Sequence, residues 1–405
     1  MTISAAWLLI DRGTMTQAHR RLAFSATGVL FAILGLGALL VPFMTIAANR
    51  IVEGDGMRIW NIATPSATLP GLAAVVAGLL LGLPDNMTRA RLAGAVMGLA
   101  GLVWLLVQGA PALLEGAGAY ARVSPATGFW CLLGVFLLLA ADALAGMAPG
   151  PVMRAELLAT AVGVLAAVLW SGALSDLSIM QEYASRRDAF LAATWQHLGL
   201  AFGSLAAAAA LGFPLGILCH HQIKLRSMTM PVLSFLQTIP SLAMFGLMIP
   251  VLAWVGATFP GAQALGIAGI GFAPAFLALV LYALLPVVGN TVAGLAAAPQ
   301  AARDAALGMG MTPRQRLWRV ELPLGLPIIL TGLRIVLVQN IGLAVIAGLI
   351  GGGGYGTFVF QGLNQTATDL ILLGTLPTVA LALTAAIFMN IFVDLTRTST
   401  DARND

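Results

Sequence analysis

Residues 298–323 read Ala-Pro-Gln-Ala-Ala-Arg-Asp-Ala-Ala-Leu-Gly-Met-Gly-Met-Thr-Pro-Arg-Gln-Arg-Leu-Trp-Arg-Val-Glu-Leu-Pro, a polar island between two long apolar runs. Pro299 suits the first turn of a short helix, where a missing N–H costs nothing. Ala301, Ala302, Ala305 and Ala306 favour that helix, and Gly308 and Gly310 weaken its far end. Thr312 before Pro313 has the pattern of an N-cap and first turn. The stretch therefore predicts helix, turn, helix, with small residues on the first helix and basic residues on the second. Small side chains let a partner approach closely, and the neighbouring charges of Arg303 and Asp304 would orient it. From these residues alone, a docking knob and an ordinary amphipathic connector both remain open.

The composition on either side of the island fixes the solvent. Of 405 residues, 59% are hydrophobic and 9% charged, against about 25% charged in a typical soluble domain. So few charges cannot cover an aqueous surface of this size, whereas lipid requires no polar cover. The predicted fold class is all-α, a polytopic membrane helical bundle. A spanning helix takes about 20 apolar residues, and ten such runs lie near 22–46, 67–84, 90–108, 127–147, 153–172, 195–219, 230–256, 266–297, 325–349 and 370–395.

The basic residues orient the bundle. With the N-terminus inside, fourteen of the twenty fall on the cytoplasmic side: Arg12, Arg20, Arg21, Arg89, Arg91, Arg154, Lys224, Arg226, Arg303, Arg314, Arg316, Arg319, Arg397 and Arg403. Arg50, Arg58, Arg122, Arg186 and Arg187 fall outside. Arg334 lies within a span, where a backbone carbonyl or a carboxylate is the expected partner. The basic balance is thus a sorting signal and not a nucleic-acid footprint. The first apolar run exceeds the 7–15 residues of a cleaved signal and is expected to stay as a helix.

The polar segment 173–192 divides the chain into an N-terminal extension of about five helices, 1–190, and a second half, 191–398. The first half has few polar residues within its spans, whereas in the second half several appear inside apolar spans. Gln237, Thr238, Pro240 and Ser241 interrupt the seventh span, Asn290 and Thr291 sit late in the eighth, and Gln339 and Asn340 lie in the ninth. Such groups are costly in hydrocarbon unless they face partners or a water-filled path, so all eight are candidates for a translocation path. Interhelical hydrogen bonding is the alternative for each. Gly351, Gly352, Gly353, Gly354 and Tyr355 fall outside between spans nine and ten, as a flexible turn or as a gate. No metal site is expected: Cys131 and Cys219 lack partners at ligand spacing, and His220-His221 has no third ligand nearby. Asp142 is expected at the inner interface.

Asp304-Ala305-Ala306, Gly310, Val320 and Leu322-Pro323 resemble the cytoplasmic loop of ABC importer permeases. That loop runs Glu-Ala-Ala, three residues, Gly, nine residues, Ile, one residue, Leu-Pro. Both spacings are kept, with Asp304 for Glu and Val320 for Ile. Leu236 to Ala243, Tyr282 to Thr291 and Ile350 to Gly356 further resemble segments of permeases for glycine betaine, choline and related osmoprotectants. The similarity covers about residues 195–395, five helices of the fold shared with methionine importers, and the extra N-terminal helices resemble YehY-type members.

The resemblance implies a permease subunit, not an enzyme, that imports a small quaternary ammonium solute across the bacterial inner membrane, with both termini cytoplasmic. It implies coupling to the ATPase through 299–323, with Arg303, Asp304, Ala305, Ala306, Gly308, Gly310, Val320, Leu322 and Pro323 as coupling residues. It implies as partners a cytoplasmic ABC ATPase, a periplasmic or lipid-anchored substrate-binding protein and a second permease subunit, identical or not. No cofactor is expected in this subunit. ATP and Mg would be bound by the ATPase, in keeping with the lack of a G-x-x-x-x-G-K-[ST] loop here. An importer for another small solute, such as an amino acid, and an ion-coupled secondary carrier are the alternatives. The second would call for acidic groups at mid-membrane, and the second half has none there.

Overall fold

A computed structural model describes residues 24–50 and 52–401; Arg12, Arg20, Arg21 and Arg403 lie outside the described residues. The chain divides by contacts between Pro149 and Gly150 into two units.

The first unit runs α1 (Ala26–Leu39), β1 (Met44–Ala47), β2 (Asp55–Met57), α2 (Pro65–Leu81), α3 (Thr88–Leu114), β3 (Arg122–Pro125) and α4 (Thr127–Met147). The helices are joined by a three-stranded antiparallel sheet, order β2-β1-β3, with Met44 opposite both Met57 and Pro125. The sheet qualifies the all-helical expectation. The first apolar run ends as a helix at Leu39, and Pro42 and the β-prone Thr45-Ile46 carry its remainder into a strand. Three or four residues are too short for a readable alternation. Backbones of α2 and α3 nearly touch, since a Cβ on Gly78 would stand 2.6 Å from the Gly94 carbonyl oxygen. Asp142 pairs with buried Arg91, which also donates to Thr27 Oγ1 at 3.0 Å.

The second unit contains α5 (Pro151–Trp170), α6 (Ser178–Ser185), α7 (Arg187–Leu198), α8 (Ser204–His221), α9 (Ile223–Thr238), α10 (Ser241–Thr258), α11 (Phe272–Ala296), α12 (Gln300–Gly308), α13 (Pro313–Arg316), α14 (Leu322–Leu343), α15 (Gly356–Asn364) and α16 (Thr368–Asp401). A π turn, Gly199–Gly203, joins α7 to α8, and a second, Leu317–Glu321, joins α13 to α14. Among the described residues, eight helical stretches are long and apolar enough to cross a membrane, and α1 and α2 are shorter apolar helices. These match the ten runs of the sequence, with the first shortened as described, the sixth starting earlier at Arg187, and two larger differences. The seventh run is two helices, α9 and α10, broken at Ile239-Pro240 because a residue before proline is driven to extended backbone. The ninth run starts earlier, as part of one stretch from Pro313 to Leu343.

Helix α5 buries none of its residues and packs along α16, where Arg154 Nη2 meets Asp394 Oδ2 at 2.7 Å. Helices α8, α11, α14 and α16 form the centre. A Cβ on Gly325 would lie 2.4 Å from the Gly294 carbonyl oxygen, so α11 and α14 cross backbone on backbone. Arg334 donates to Asn390 Oδ1 on α16. An uncharged amide thus takes the place of the expected carboxylate or backbone carbonyl.

The crossing yields a stability prediction. Gly325→Val forces the helices apart and lowers stability by about 2 kcal/mol, as overpacking typically does. Gly342→Ala, with nothing within 4 Å of the added Cβ, leaves it unchanged or slightly raised. Thermal unfolding in detergent checks the pair.

Candidate functional site

Helix α12 follows α11 after a three-residue connection. Pro299 is its N-cap residue, one position before the expected first turn, and its carbonyl accepts from Ala302 N at 3.1 Å and Arg303 N at 3.2 Å. At the other end Met311 N bonds Ala306 O (3.1 Å) and Gly310 N bonds Leu307 O (2.9 Å). This is a Schellman closure, which needs a left-handed residue after the cap. Gly310 supplies it with φ 76°. Two residues later Thr312 Oγ1 accepts from Gln315 N at 3.3 Å while Gln315 Oε1 accepts from Thr312 N at 2.9 Å, a capping box that starts α13. The helix-turn-helix expected from the sequence is present, but its second helix does not stop. It passes through the π turn into α14, so Val320 lies in that turn and Leu322 and Pro323 open α14. Pro323 gives no N–H to the turn before it, where the wider π geometry is found.

The outward face of α12 carries Ala301, Asp304, Ala305 and Gly308, all exposed. Leu307 and Met309 beside them are 54% and 69% exposed. A Cβ on Gly308 would meet nothing within 4 Å. Ala306 faces inward and is fully buried. Arg303 and Asp304 do not act as a pair. Asp304 turns outward and accepts from Gln300 Nε2 at 2.9 Å, whereas Arg303 turns inward and donates from Nη2 to Leu295 O at 2.7 Å. Adjacent residues on a helix point about 100° apart, which separates these two.

Arg303 also faces Glu321, a residue the sequence reading passed over. Its side chain is 2% exposed, with Arg316 Nε 3.0 Å and Arg303 Nε 3.8 Å from Oε1 and His220 Nε2 3.8 Å from Oε2. The signal for it was available: one acidic residue among Arg314, Arg316 and Arg319, next to an apolar span.

The path candidates separate into two groups. At the α9–α10 break, Gln237 Nε2 donates to Tyr282 O at 2.7 Å and the Tyr282 hydroxyl donates to Ile239 O. Thr238 and Pro240 are exposed and Ser241 is half-buried. Asn290 and Thr291 instead donate to Pro286 O and Val287 O, both at 2.7 Å, on their own helix. Thr291 is buried where a Cβ on Gly216 of α8 would strike it, and Asn290 packs against Gly332 of α14. Asn340 is fully buried and donates from Nδ2 to Ser204 Oγ at 2.8 Å, beside the first π turn. Thr291 and Asn340 are thus buried between helices of this chain and hydrogen-bonded, and Gln339 is half-buried.

The glycine run is no loose turn. Gly354 N donates to Gln196 Oε1 at 3.1 Å, and a Cβ on Gly353 would overlap the Gln196 side chain. Gly352 is buried, while Gly351 is exposed and closes a short helical turn at φ 75°. Tyr355 is buried against the His197 ring, 4.7 Å between centroids, and donates to Thr194 Oγ1 at 3.1 Å. Burial pushes its hydroxyl pKa up from the ordinary 10.0, partly offset by that bond. Among the described residues no three His, Cys, Asp or Glu side chains gather to hold a metal.

Two family descriptions match this chain: "ABC transporter permease YehY, N-terminal domain" over residues 24–180, and "Binding-protein-dependent transport system inner membrane component" over residues 212–401. The osmoprotectant import permease protein OsmW of Salmonella typhimurium is 39% identical over 190 residues, 47% of this chain and 83% of that protein. The carnitine transport permease protein OpuCB of Listeria monocytogenes is 38% identical, covering 48% of this chain and 81% of that one. The choline transport system permease protein OpuBB of Bacillus subtilis is 32% identical, covering 47% and 80%. An inward-facing structure of the MetNI methionine ABC transporter aligns over 51% of this chain and 95% of its own, with 21% identity and a TM-score of 0.45. With apolar helices on both sides of a capped polar loop, and relatives covered over four-fifths of their length, the chain belongs to the binding-protein-dependent inner membrane components and is a multi-pass permease subunit of an ABC importer.

Proposed function

We propose that this permease imports a small quaternary ammonium osmoprotectant, such as glycine betaine, choline or carnitine. The observation that carries the reading is the 32–39% identity to permeases named for osmoprotectant, carnitine and choline transport. Choline and carnitine share a trimethylammonium group, which a partner protein would hold by aromatic faces. The neutral polar groups at Gln237, Thr238 and Ser241 suit a net-neutral solute. The exposed break between α9 and α10 is the part of the proposed path with side chains open to it.

In this reading the chain sits in the bacterial inner membrane with both termini cytoplasmic. Residues 191–398 form the conducting core, paired with a second permease subunit, and residues 1–190 are an extension. A periplasmic or lipid-anchored binding protein delivers the solute near Gly351–Tyr355. A cytoplasmic ATPase binds ATP and Mg and docks on the outward face of α12. The face supports this by its make-up: Leu307 and Met309 stay exposed on a loop between two spans, beside a glycine with open space around it. ATP would drive transport by favouring one of two access states, because equal affinity for both shifts nothing.

Two experiments test the reading. Gly308→Trp adds bulk where the chain itself has room, so folding should be kept while ATPase co-purification and uptake are both lost; survival of both removes α12 as the dock. Uptake of labelled glycine betaine, choline, carnitine and methionine with the cognate binding protein checks the solute. Saturable transport of at least one quaternary ammonium is expected, and transport of methionine alone excludes that class.

A further inference from the structure

We infer that Glu321 is a positioning residue that latches the α12 loop to the transmembrane bundle, so that movement of α12 reaches the helices. The inference rests on α12 being the ATPase dock. Its basis is one nearly inaccessible carboxylate faced by cationic or ionisable side chains from α12, from the end of α8 and from the preceding turn of its own helical stretch. Arg316 on α13 stands 3.0 Å away, Arg303 on α12 3.8 Å, and His220 at the end of α8 3.8 Å. Arg303 reaches in two directions, because its Nη2 also holds the last-turn carbonyl of Leu295 on α11. The feet of α8, α11, α12 and α14 therefore converge on this one side chain.

The π turn that ends at Glu321 places it there. One extra residue in a turn swings the following side chains by about 100° relative to an uninterrupted α-helix. One helical turn further on, Gly325 meets Gly294 backbone to backbone. A push on α12 thus enters α14 at Glu321, just below a crossing too tight to slide. Without the negative charge, Arg303 and Arg316 face each other uncompensated in a poorly hydrated site, and like charges there repel. The loop then gives way locally while its outer face, built from other residues, still meets the ATPase.

The test uses the assembled transporter in proteoliposomes, with ATPase co-purification, ATP hydrolysis and solute uptake measured on the same preparation. Glu321→Gln keeps the shape and removes the charge. The expected result is retained ATPase association, hydrolysis within about threefold of wild type, and at least a tenfold fall in solute moved per ATP. Glu321→Asp restores part of that ratio. An unchanged ratio, or hydrolysis and uptake falling in parallel, overturns the latch. If Glu321→Gln does not assemble, Arg316→Gln removes the nearest partner instead; it should lower the ratio at least threefold, and a wild-type ratio overturns the proposal. A wild-type chain that binds no ATPase refutes the docking reading instead, which separates the two failures.

Discussion

Hydrocarbon supplies no hydrogen bonds, so backbone amides and carbonyls in the spans have to find their partners within protein. That constraint makes the spans helical and decides where helices break. The α9–α10 break, with Pro240 denying a donor, is closed by Gln237 and Tyr282 bonding reciprocally to main-chain carbonyls across to the other element. The π turn before α8 lies beside the Ser204–Asn340 bond. Irregular backbone occurs in this fold next to polar side chains able to compensate for it.

The same constraint explains why glycine, and not charge, governs the helix contacts. Lipid is as apolar as leucine, so close packing must supply the attraction between helices. At Gly294 and Gly325 the backbones approach until no side chain fits between them. Apart from Arg334 within α14, the charges described pair near helix ends, where Arg91 meets Asp142, Arg154 meets Asp394 and Arg316 meets Glu321.

Much of this was legible in the sequence. Apolar run length gave the helices, and the spacing from Asp304 to Pro323 gave the loop, because both are local properties. Thr312 formed the N-cap that its place before Pro313 implies, and the structure adds Gln315 as its reciprocal partner. What escaped depends on distant partners. Nothing near position 321 shows that His220 lies opposite, a hundred residues away in the chain, and nothing near 353 shows that Gln196 closes on it. The strands escaped because pairings of three or four residues leave no period to read. Arg303 and Asp304 looked like a pair because they are neighbours in sequence, which on a helix sends them different ways.

The stretch from Pro313 to Leu343 is 31 residues of unbroken helical structure, about 46 Å from end to end at 1.5 Å per residue. It is gripped at Glu321, eight residues in from its lower end, and its upper end leads into the glycine run. Tilting the roughly 33 Å of helix beyond Glu321 by 5° about that residue carries the far end sideways by about 3 Å, about the diameter of a water molecule. For a given tilt, the length of helix beyond the grip sets how far its outer end moves.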